Sequence, residues 1–219
     1  MNLFDIIGPV MIGPSSSHTA GAARIGRMAR RLLDDDVVRA DIFLHGSFAK
    51  TYIGHGTDRA VIGGLMDMAV DHPDLRNALD IARERGVAFS FIPTDLKDAH
   101  PNTIRLHLWG KNGSEIVVQA ASIGGGEIRV ETINDLEAGF CGKQHTLVIF
   151  HRDVPGVIAE VSRVLGQKNL NIATMRVFRE SVGGRAVMAL EMDDVIYPHT
   201  LDALRNIPGI NRAISLEKV

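Results

Sequence analysis

Apolar residues recur with helical and strand-like periods along the first two thirds of the chain. Ile25, Met28 and Leu32 fall three or four positions apart, which predicts an amphipathic helix over 22–33. Arginines occupy the opposite side of this helix. The same kinds of pattern predict two further helices and five strands, at 59–70, 75–85, 40–44, 87–92, 104–108, 115–121 and 127–133. A mixed α/β domain of the α+β class follows from this order.

The pattern changes after a polar, glycine-containing stretch at 134–143, which is typical of a linker. Beyond it the elements follow in the order strand, helix, strand, strand, helix, strand. This order is the ferredoxin-like βαββαβ arrangement. We therefore expect two domains, over residues 1–140 and 146–219. The six predicted elements of the second domain are 146–150, 157–167, 172–179, 185–192, 198–205 and 210–216.

Charge and composition exclude several classes of protein. The 219 residues carry 24 basic and 26 acidic side chains, and only 5% are aromatic, so no basic surface for nucleic acid is expected. Mean hydropathy is close to zero. No apolar run is long enough for a membrane span, and Met1–Asp5 lacks the pattern of a signal peptide. A cytoplasmic protein without membrane or nucleic-acid partners is predicted.

A single cysteine, Cys141, limits the chemistry that this chain can perform alone. It excludes an internal disulfide and any metal site that needs several thiolates from one chain. Cys141 lies between glycines in the expected linker, where a packing role is favoured over a reactive one.

A cluster of hydroxyls and one imidazole immediately precedes the first helix. It comprises Ser15, Ser16, Ser17, His18 and Thr19, bracketed by glycines. Donors at the start of a helix face the positive end of its dipole, which favours an anion such as a carboxylate. The alternative is that one serine caps the helix while the others are solvated.

Two more histidines occur in similar polar loops. His55 and Thr57 belong to the sequence Gly-His-Gly-Thr-Asp, and His100 and Asn102 belong to His-Pro-Asn-Thr. Loops at the ends of helices and strands are where folds place binding groups, so we expect the three clusters to line one polar pocket. An imidazole there is suited to act as a general base near neutral pH.

Two other interpretations of the polar loops are disfavoured. A zinc site made by the three histidines lacks any short-range ligand spacing. The glycines at 124–126 lack the Gly-Lys-Ser/Thr ending of a phosphate-binding loop, so a bulge or turn is expected there. Ser122, just before these glycines, is a candidate to direct its hydroxyl into the pocket.

The last 74 residues resemble the ACT domain, a module that senses amino acids. The resemblance rests on the βαββαβ order, on Asp153-Val154-Pro155-Gly156 before the first helix, and on Asn169-Leu170-Asn171-Ile172 before the second strand. It implies effector binding near Asp153, Gly156, Asn169, Asn171 and Ile172. Many ACT domains bind no effector and only dimerise, which is the alternative.

With the three polar loops, nearly the whole chain resembles the β chain of bacterial iron–sulfur L-serine dehydratase. In that family the first domain is similar to the allosteric substrate-binding domain of some phosphoglycerate dehydrogenases. A separate α chain, or a fused catalytic domain, carries the cysteines that hold a four-iron four-sulfur cluster. The family reaction removes water from L-serine and yields pyruvate and ammonia.

The resemblance implies roles for individual residues. Ser15, Ser16, Ser17, Thr19 and Ser122 would bind the substrate, and its carboxylate would lie near the serines. The catalytic set would be His18, His55, Thr57, His100 and Asn102.

The resemblance also implies partners. A cysteine-bearing α chain would supply every ligand of the 4Fe-4S cluster, this chain would hold no metal, and the chain alone would be inactive. Self-association is expected through the ACT domain or the first domain. The competing hypothesis is a non-catalytic regulatory protein that binds serine.

Overall fold

A computed structural model of the protein describes residues 10–219, which form two compact units divided between Asn134 and Asp135. The expectation about Met1–Asp5 lies outside the described residues. Within the described part of the chain, none of the helices is both long and apolar enough to cross a membrane.

The first unit contains four α-helices and five strands. They are α1 (Gly21–Leu33), β1 (Val37–Leu44), α2 (Gly46–Thr51), α3 (Thr57–Leu65), α4 (Ala78–Glu84), β2 (Ala88–Pro93), β3 (Thr103–Gly110), β4 (Glu115–Gly124) and β5 (Glu127–Ile133). A π-helical turn, Ser16–Ala20, leads into α1, and a 3-10 turn, Pro73–Asn77, leads into α4. The strands are ordered β2-β1-β3-β4-β5. The β1–β2 pair is parallel and the other pairs are antiparallel.

The core of the first unit lies where α1 packs on the sheet and on α3. Ile25, Met28 and Leu32 are fully buried, as the helical period predicted. Alternate residues of β1, β3 and β4 are buried and form the inner face of the sheet. The first unit is therefore mixed α and β, and the predicted α+β class is confirmed.

Helix α2 has no counterpart among the predicted elements. Its six residues are too few to establish a 3.6-residue period, and it begins at a glycine. Tertiary contacts stabilise it instead. Gly46 has a φ of 58° and lies so close to Pro101 that a Cβ would overlap it, while Phe48 is fully buried.

Several predicted boundaries in this unit are wrong, and β1 begins at Val37 rather than at residue 40. Helix α3 ends at Leu65 rather than at residue 70, where Asp67 takes a φ of 59° and pairs with Arg27 at 2.7 Å. The helix expected over 75–85 is divided into the 3-10 turn and α4, because Pro73 begins a separate turn. Strand β4 continues through Ser122 to Gly124, so only the last two glycines of the trio form the turn.

The second unit follows the predicted order closely. Its elements are β6 (Leu136–Phe140), β7 (His145–Arg152), α5 (Val157–Gln167), β8 (Ile172–Arg179), β9 (Arg185–Met192), α6 (Pro198–Arg205) and β10 (Ile210–Leu216). The last four strands form a sheet in the order β10-β7-β9-β8, and all neighbours are antiparallel. This topology confirms the ferredoxin-like prediction for these residues.

The stretch predicted as a linker contains strand β6. Leu136, Ala138 and Phe140 are buried at alternate positions, which is typical of a strand covered on one face. The strand is only five residues long and includes Gly139, whose φ is 67°. Its polar and glycine content gave it the composition of a loop.

Candidate functional site

The Ser-Ser-Ser-His-Thr cluster forms the first turn of a continuous helix. Ser15 is the N-cap of the π-helical turn, and its hydroxyl accepts a hydrogen bond from the His18 backbone N–H at 3.2 Å. The N-cap alternative is therefore correct for Ser15. The Ser16 carbonyl accepts a hydrogen bond from the Gly21 N–H, which closes the wide π turn. The turn directs His18 away from the helix axis toward neighbouring loops.

The imidazole of His18 is in contact with hydroxyls and with two rings. Nε2 lies 2.9 Å from the Ser47 hydroxyl, and Nδ1 lies 3.1 Å from the Ser17 hydroxyl. The rings of His55 and Phe48 approach edge-on, with centroids 4.7 and 5.2 Å from that of His18. The ring is thus fixed from four sides.

Burial, and to a smaller extent the neighbouring His55, lower the pKa of His18 from its ordinary value. The imidazole is therefore neutral near pH 7. In that form one ring nitrogen carries a proton and the other has a free lone pair, which is the state that a general base requires.

The loop that carries His55 is joined directly to the serine cluster. The Thr19 hydroxyl donates a hydrogen bond to the His55 carbonyl at 3.0 Å. The next motif residue, Thr57, is fully buried at the start of α3. Among the described residues, neither His55 Nδ1 nor the Thr57 hydroxyl has a hydrogen-bond partner. Buried polar atoms without partners are costly, and they are common where a protein is arranged for a ligand.

The His-Pro-Asn-Thr loop meets the other two clusters mainly through its backbone. The Pro101 carbonyl accepts a hydrogen bond from the Ser47 N–H at 2.8 Å, and the Asn102 carbonyl accepts one from the Ser122 N–H at 2.9 Å. His100 itself is exposed, and its Nδ1 accepts a hydrogen bond from the Asn102 N–H. Its ring makes no described contact with His18 or His55.

Ser122 lies beneath the turn that carries His18. Its side chain is fully buried and packs so closely on Gly21 that a Cβ at that position would overlap the hydroxyl. The Ser122 hydroxyl has no hydrogen-bond partner among the described residues. This contact explains why a glycine begins α1, since any side chain there would clash with Ser122.

A cavity of about 410 Å³ opens beside these clusters. The residues that line it include Thr19, His55, Arg59 and Arg76. Neither guanidinium has an ion pair among the described residues. The cavity therefore combines a positive potential with the polar groups of the first two loops, a combination that suits a small carboxylate.

The structure thus joins most of the predicted residues and separates one. Ser15, Ser17, His18, Thr19 and His55 are in direct contact, whereas Asn102 and Ser122 are connected to them through the backbone of the third loop. His100 remains at the surface. The sequence analysis did not assign Ser47, Arg59 or Arg76. The only signal for Ser47 was its position directly after a predicted strand, which is common for binding residues but is also found in many ordinary loops.

No three His, Cys, Asp or Glu side chains in residues 10–219 are grouped closely enough to hold a metal ion. Cys141 is half-buried, and its backbone N–H donates to Glu191 at 3.4 Å. A four-iron cluster is normally held by three or four thiolates. The residues of this chain therefore do not fit such a cluster.

The predicted effector positions of the second unit are engaged in local contacts. Asp153 pairs with Arg179 at 2.7 Å, and this bond is the main cause of the lowered pKa of the Asp153 carboxyl. Gly156 and Asn169 have φ values of 93° and 55° and shape the turns at the two ends of α5. Two further positions complete the set. Asn171 donates to Asp193 at 2.8 Å, and Ile172 packs on the apolar core.

Residues 2–132 match the family model described as "Serine dehydratase beta chain", and residues 145–209 match the ACT domain model. The chain belongs to the serine dehydratase beta chain family. It is 43% identical to the probable L-serine dehydratase beta chain of Bacillus subtilis, over 95% of this chain and 94% of that protein. It is 35% identical to the L-serine dehydratase beta chain of Peptoniphilus asaccharolyticus, over 95% and 93%. The resemblance stated from the sequence motifs is confirmed.

The family also has relatives of another activity. A D-3-phosphoglycerate dehydrogenase of Bacillus subtilis is 32% identical over 86% of this chain but only 36% of its own length. Both units of the serine dehydratase beta chain therefore recur within a larger enzyme with a different name.

Proposed function

We propose that this serine dehydratase beta chain is one subunit of an L-serine dehydratase and lines the cavity in which L-serine loses water. One observation supports this most directly. In the described part of the chain, a neutral His18 and a neighbouring His55 lie among hydroxyls, buried polar atoms without partners, and a cavity with two unpaired arginines. A purely structural module gains no stability from such groups.

Each part of the cluster has a chemical task in this proposal. The start of the Ser16–Leu33 helix and the arginines of the cavity attract and orient the substrate carboxylate. His55, which lines the cavity and has an unpartnered Nδ1, forms a hydrogen bond with a substrate group or with ordered water once the cavity is filled. His18 accepts or returns a proton during the elimination, because its lowered pKa keeps it neutral at the working pH.

We further propose that the iron–sulfur cluster belongs to a cysteine-bearing α chain that pairs with this subunit. The single Cys141 supports this division, since thiolate ligands must come from elsewhere. The cluster would supply a Lewis acid for the leaving hydroxyl. Assignment to serine breakdown in the cytoplasm, in a heteromer that also self-associates, is part of the same proposal.

Anaerobic co-expression with the α chain encoded by the same genome tests the proposal. The expected result is a brown complex that contains both chains and forms pyruvate and ammonia from L-serine. Each chain alone is expected to be inactive. Failure of the two chains to associate, or a brown complex without pyruvate formation, would contradict the subunit assignment.

His55→Ala and His100→Ala test whether the loops take part. Both variants should fold and associate normally, because neither side chain belongs to the core, and both should lose turnover almost completely. Because His100 is exposed in this chain, the loss of turnover expected for His100→Ala requires that the α chain covers His100 in the complex. The matched control is His107→Ala, on the open side of β3, where His107 bonds to Glu115 at 2.6 Å. If all three variants kept the activity of the wild-type complex, His55 and His100 would have no part in the mechanism.

A regulatory serine-binding protein remains the second candidate function. The likeness to D-3-phosphoglycerate dehydrogenases over both units favours it. The shared region is only about a third of the length of those enzymes, so it is a part added to a larger enzyme there. Calorimetry of the isolated chain separates the two candidates. Tight binding of L-serine without the α chain would favour the sensor, whereas binding that requires the assembled complex would favour the subunit.

A further inference from the structure

The short helix α2 supplies two of the five side chains that surround the His18 ring. The Ser47 hydroxyl lies 2.9 Å from His18 Nε2, and the Phe48 ring stands at 82° to the imidazole. Ser47 is 29 positions away from His18 in the chain, so the contact exists only in the folded protein. It belongs to none of the three polar motifs.

We propose that Ser47 is a positioning residue that fixes the orientation of the His18 ring through the hydrogen bond to Nε2. Its importance for turnover rests on the proposed function. Its effect on the imidazole does not, since that effect follows from contacts within this chain alone.

The orientation of the imidazole is fixed only if both ring nitrogens have hydrogen-bond partners. Nδ1 lies between the hydroxyls of Ser17 and Ser15, at 3.1 and 3.4 Å, and Ser47 is the partner on the Nε2 side. A hydroxyl donates to a nitrogen lone pair or accepts from an N–H, so a neutral ring can be satisfied at both ends. A half-turn of the ring would place carbon atoms against the hydroxyls and lose both bonds.

Ser47 is itself held firmly in place. Its N–H donates to the Pro101 carbonyl at 2.8 Å, and its carbonyl accepts from the Thr51 hydroxyl at 2.8 Å. Gly46, in contact with Pro101, fixes the direction in which α2 begins. Ser47 therefore bonds to both the His18 loop and the His-Pro-Asn-Thr loop, and it transmits the position of one to the other.

Nitrogen-15 NMR of the histidine rings tests the proposal on the isolated chain. In wild type, the hydrogen bond to Ser47 should displace the His18 Nε2 shift from the value of an imidazole nitrogen without a partner. Ser47→Ala should move the Nε2 shift toward that of a nitrogen without a partner, because the hydrogen bond is lost. Ser47→Thr, which keeps the hydroxyl, should preserve the wild-type pattern. Unchanged His18 shifts in Ser47→Ala would overturn the proposal.

Two further variants test whether the lost hydrogen bond is the cause. One keeps the side-chain volume, and the other removes a hydroxyl elsewhere on the protein. Ser47→Cys replaces the hydroxyl with a thiol of similar size, which is a poor hydrogen-bond partner. It should give the spectrum expected for Ser47→Ala without leaving a cavity, so it serves as the test if Ser47→Ala does not fold. Ser162→Ala removes a hydroxyl from α5, where it donates to the Ile158 carbonyl, and serves as the matched control. It should leave the His18 shifts unchanged. A Ser47→Cys spectrum identical to wild type would also overturn the proposal.

Kinetics of the complex with the α chain provide the second readout. Ser47→Ala should lower kcat on the order of 10²-fold, since displacement of a catalytic group by about 1 Å has that effect, while KM stays nearly constant. Ser47→Thr should recover most of the loss. A wild-type complex without lyase activity would contradict the proposed function, and the NMR result would still decide whether Ser47 positions His18.

Discussion

At the scale of single residues, burial and the neighbouring His55 together influence the charge of His18. A proton on His55 makes protonation of His18 less favourable, and burial of His18 acts in the same direction with a larger effect. Both effects keep the His18 imidazole neutral below the pH at which a free histidine would accept a proton. His18 therefore stays available as a base at a lower pH than a free histidine does.

His55→Gln should raise the pKa of His18 while leaving it below the ordinary value of 6.5. Glutamine keeps much of the bulk of histidine but never becomes positively charged, so only the smaller of the two effects is removed. NMR titration of the His18 ring protons measures the shift. His107→Gln, on the open side of β3, is the control and should leave the titration of His18 unchanged. A His18 pKa that is unchanged or lower in His55→Gln would contradict this account.

The sign of the stability effect follows from the same shift. The lowered pKa means that the unfolded chain binds a proton at His18 more readily than the folded chain does. This contribution to the free energy of unfolding is complete above pH 6.5 and is lost as the pH falls from there toward the folded pKa. Mild acid should therefore loosen the site before it protonates the carboxylates of the chain.

At the scale of elements, the site depends on how closely α1 approaches α3. Gly26 of α1 faces the Val61 carbonyl, and Gly64 of α3 faces the Ala23 carbonyl. A Cβ at either position would overlap backbone atoms, which cannot move aside as a flexible side chain can. This contact brings the start of α3, with Thr57, next to the turn that carries His18.

Gly64→Ala should therefore lower the free energy of unfolding by roughly 1–3 kcal/mol, as overpacking of a closed contact does. Urea denaturation measures the change. Gly166→Ala in α5 is the matched control, because a Cβ there meets no atom within 4 Å and alanine favours the helix. Its stability should stay equal or rise slightly. Equal stability of Gly64→Ala and wild type would show that the helices separate without cost.

At the scale of the whole molecule, the chain combines a unit that carries the candidate site with an ACT domain. Within the ACT domain, Val154 and Ile158 keep 42% and 47% of their surface exposed near the start of α5. The Asp153–Arg179 pair lies next to them. Exposed apolar residues beside a fixed charge pair are typical of a surface that meets another protein copy or an effector.

Deletion of residues 146–219 should lower the mass of the native assembly or abolish its response to added amino acids. Light scattering after size-exclusion chromatography measures the mass, and kinetics of the complex with the α chain measure the response. Circular dichroism must first show that the remaining chain folds. Unchanged mass together with unchanged kinetics would mean that the ACT domain has neither proposed role.

Local sequence information predicted the ACT domain almost completely. Helices α5 and α6 and strands β8, β9 and β10 have the predicted boundaries. Each contains apolar residues at a helical or strand-like spacing, Asn206 follows α6, and Gly183 and Gly184 precede β9, so local preference and burial agree. The three polar motifs were also identifiable, because they combine unusual residues with glycine or proline in short loops.

Tertiary structure alone determined which of those motifs meet, and how. Helix α2 is too short to form without its contacts to Pro101 and the core, and it therefore left no periodic pattern in the sequence. The bond between Ser47 and His18, and the exposure of His100, depend on the packing of distant segments. Sequence determines which side chains are available and where local preferences are strong. The folded chain determines their distances, because hydrogen bonds and burial between remote residues have no local signature.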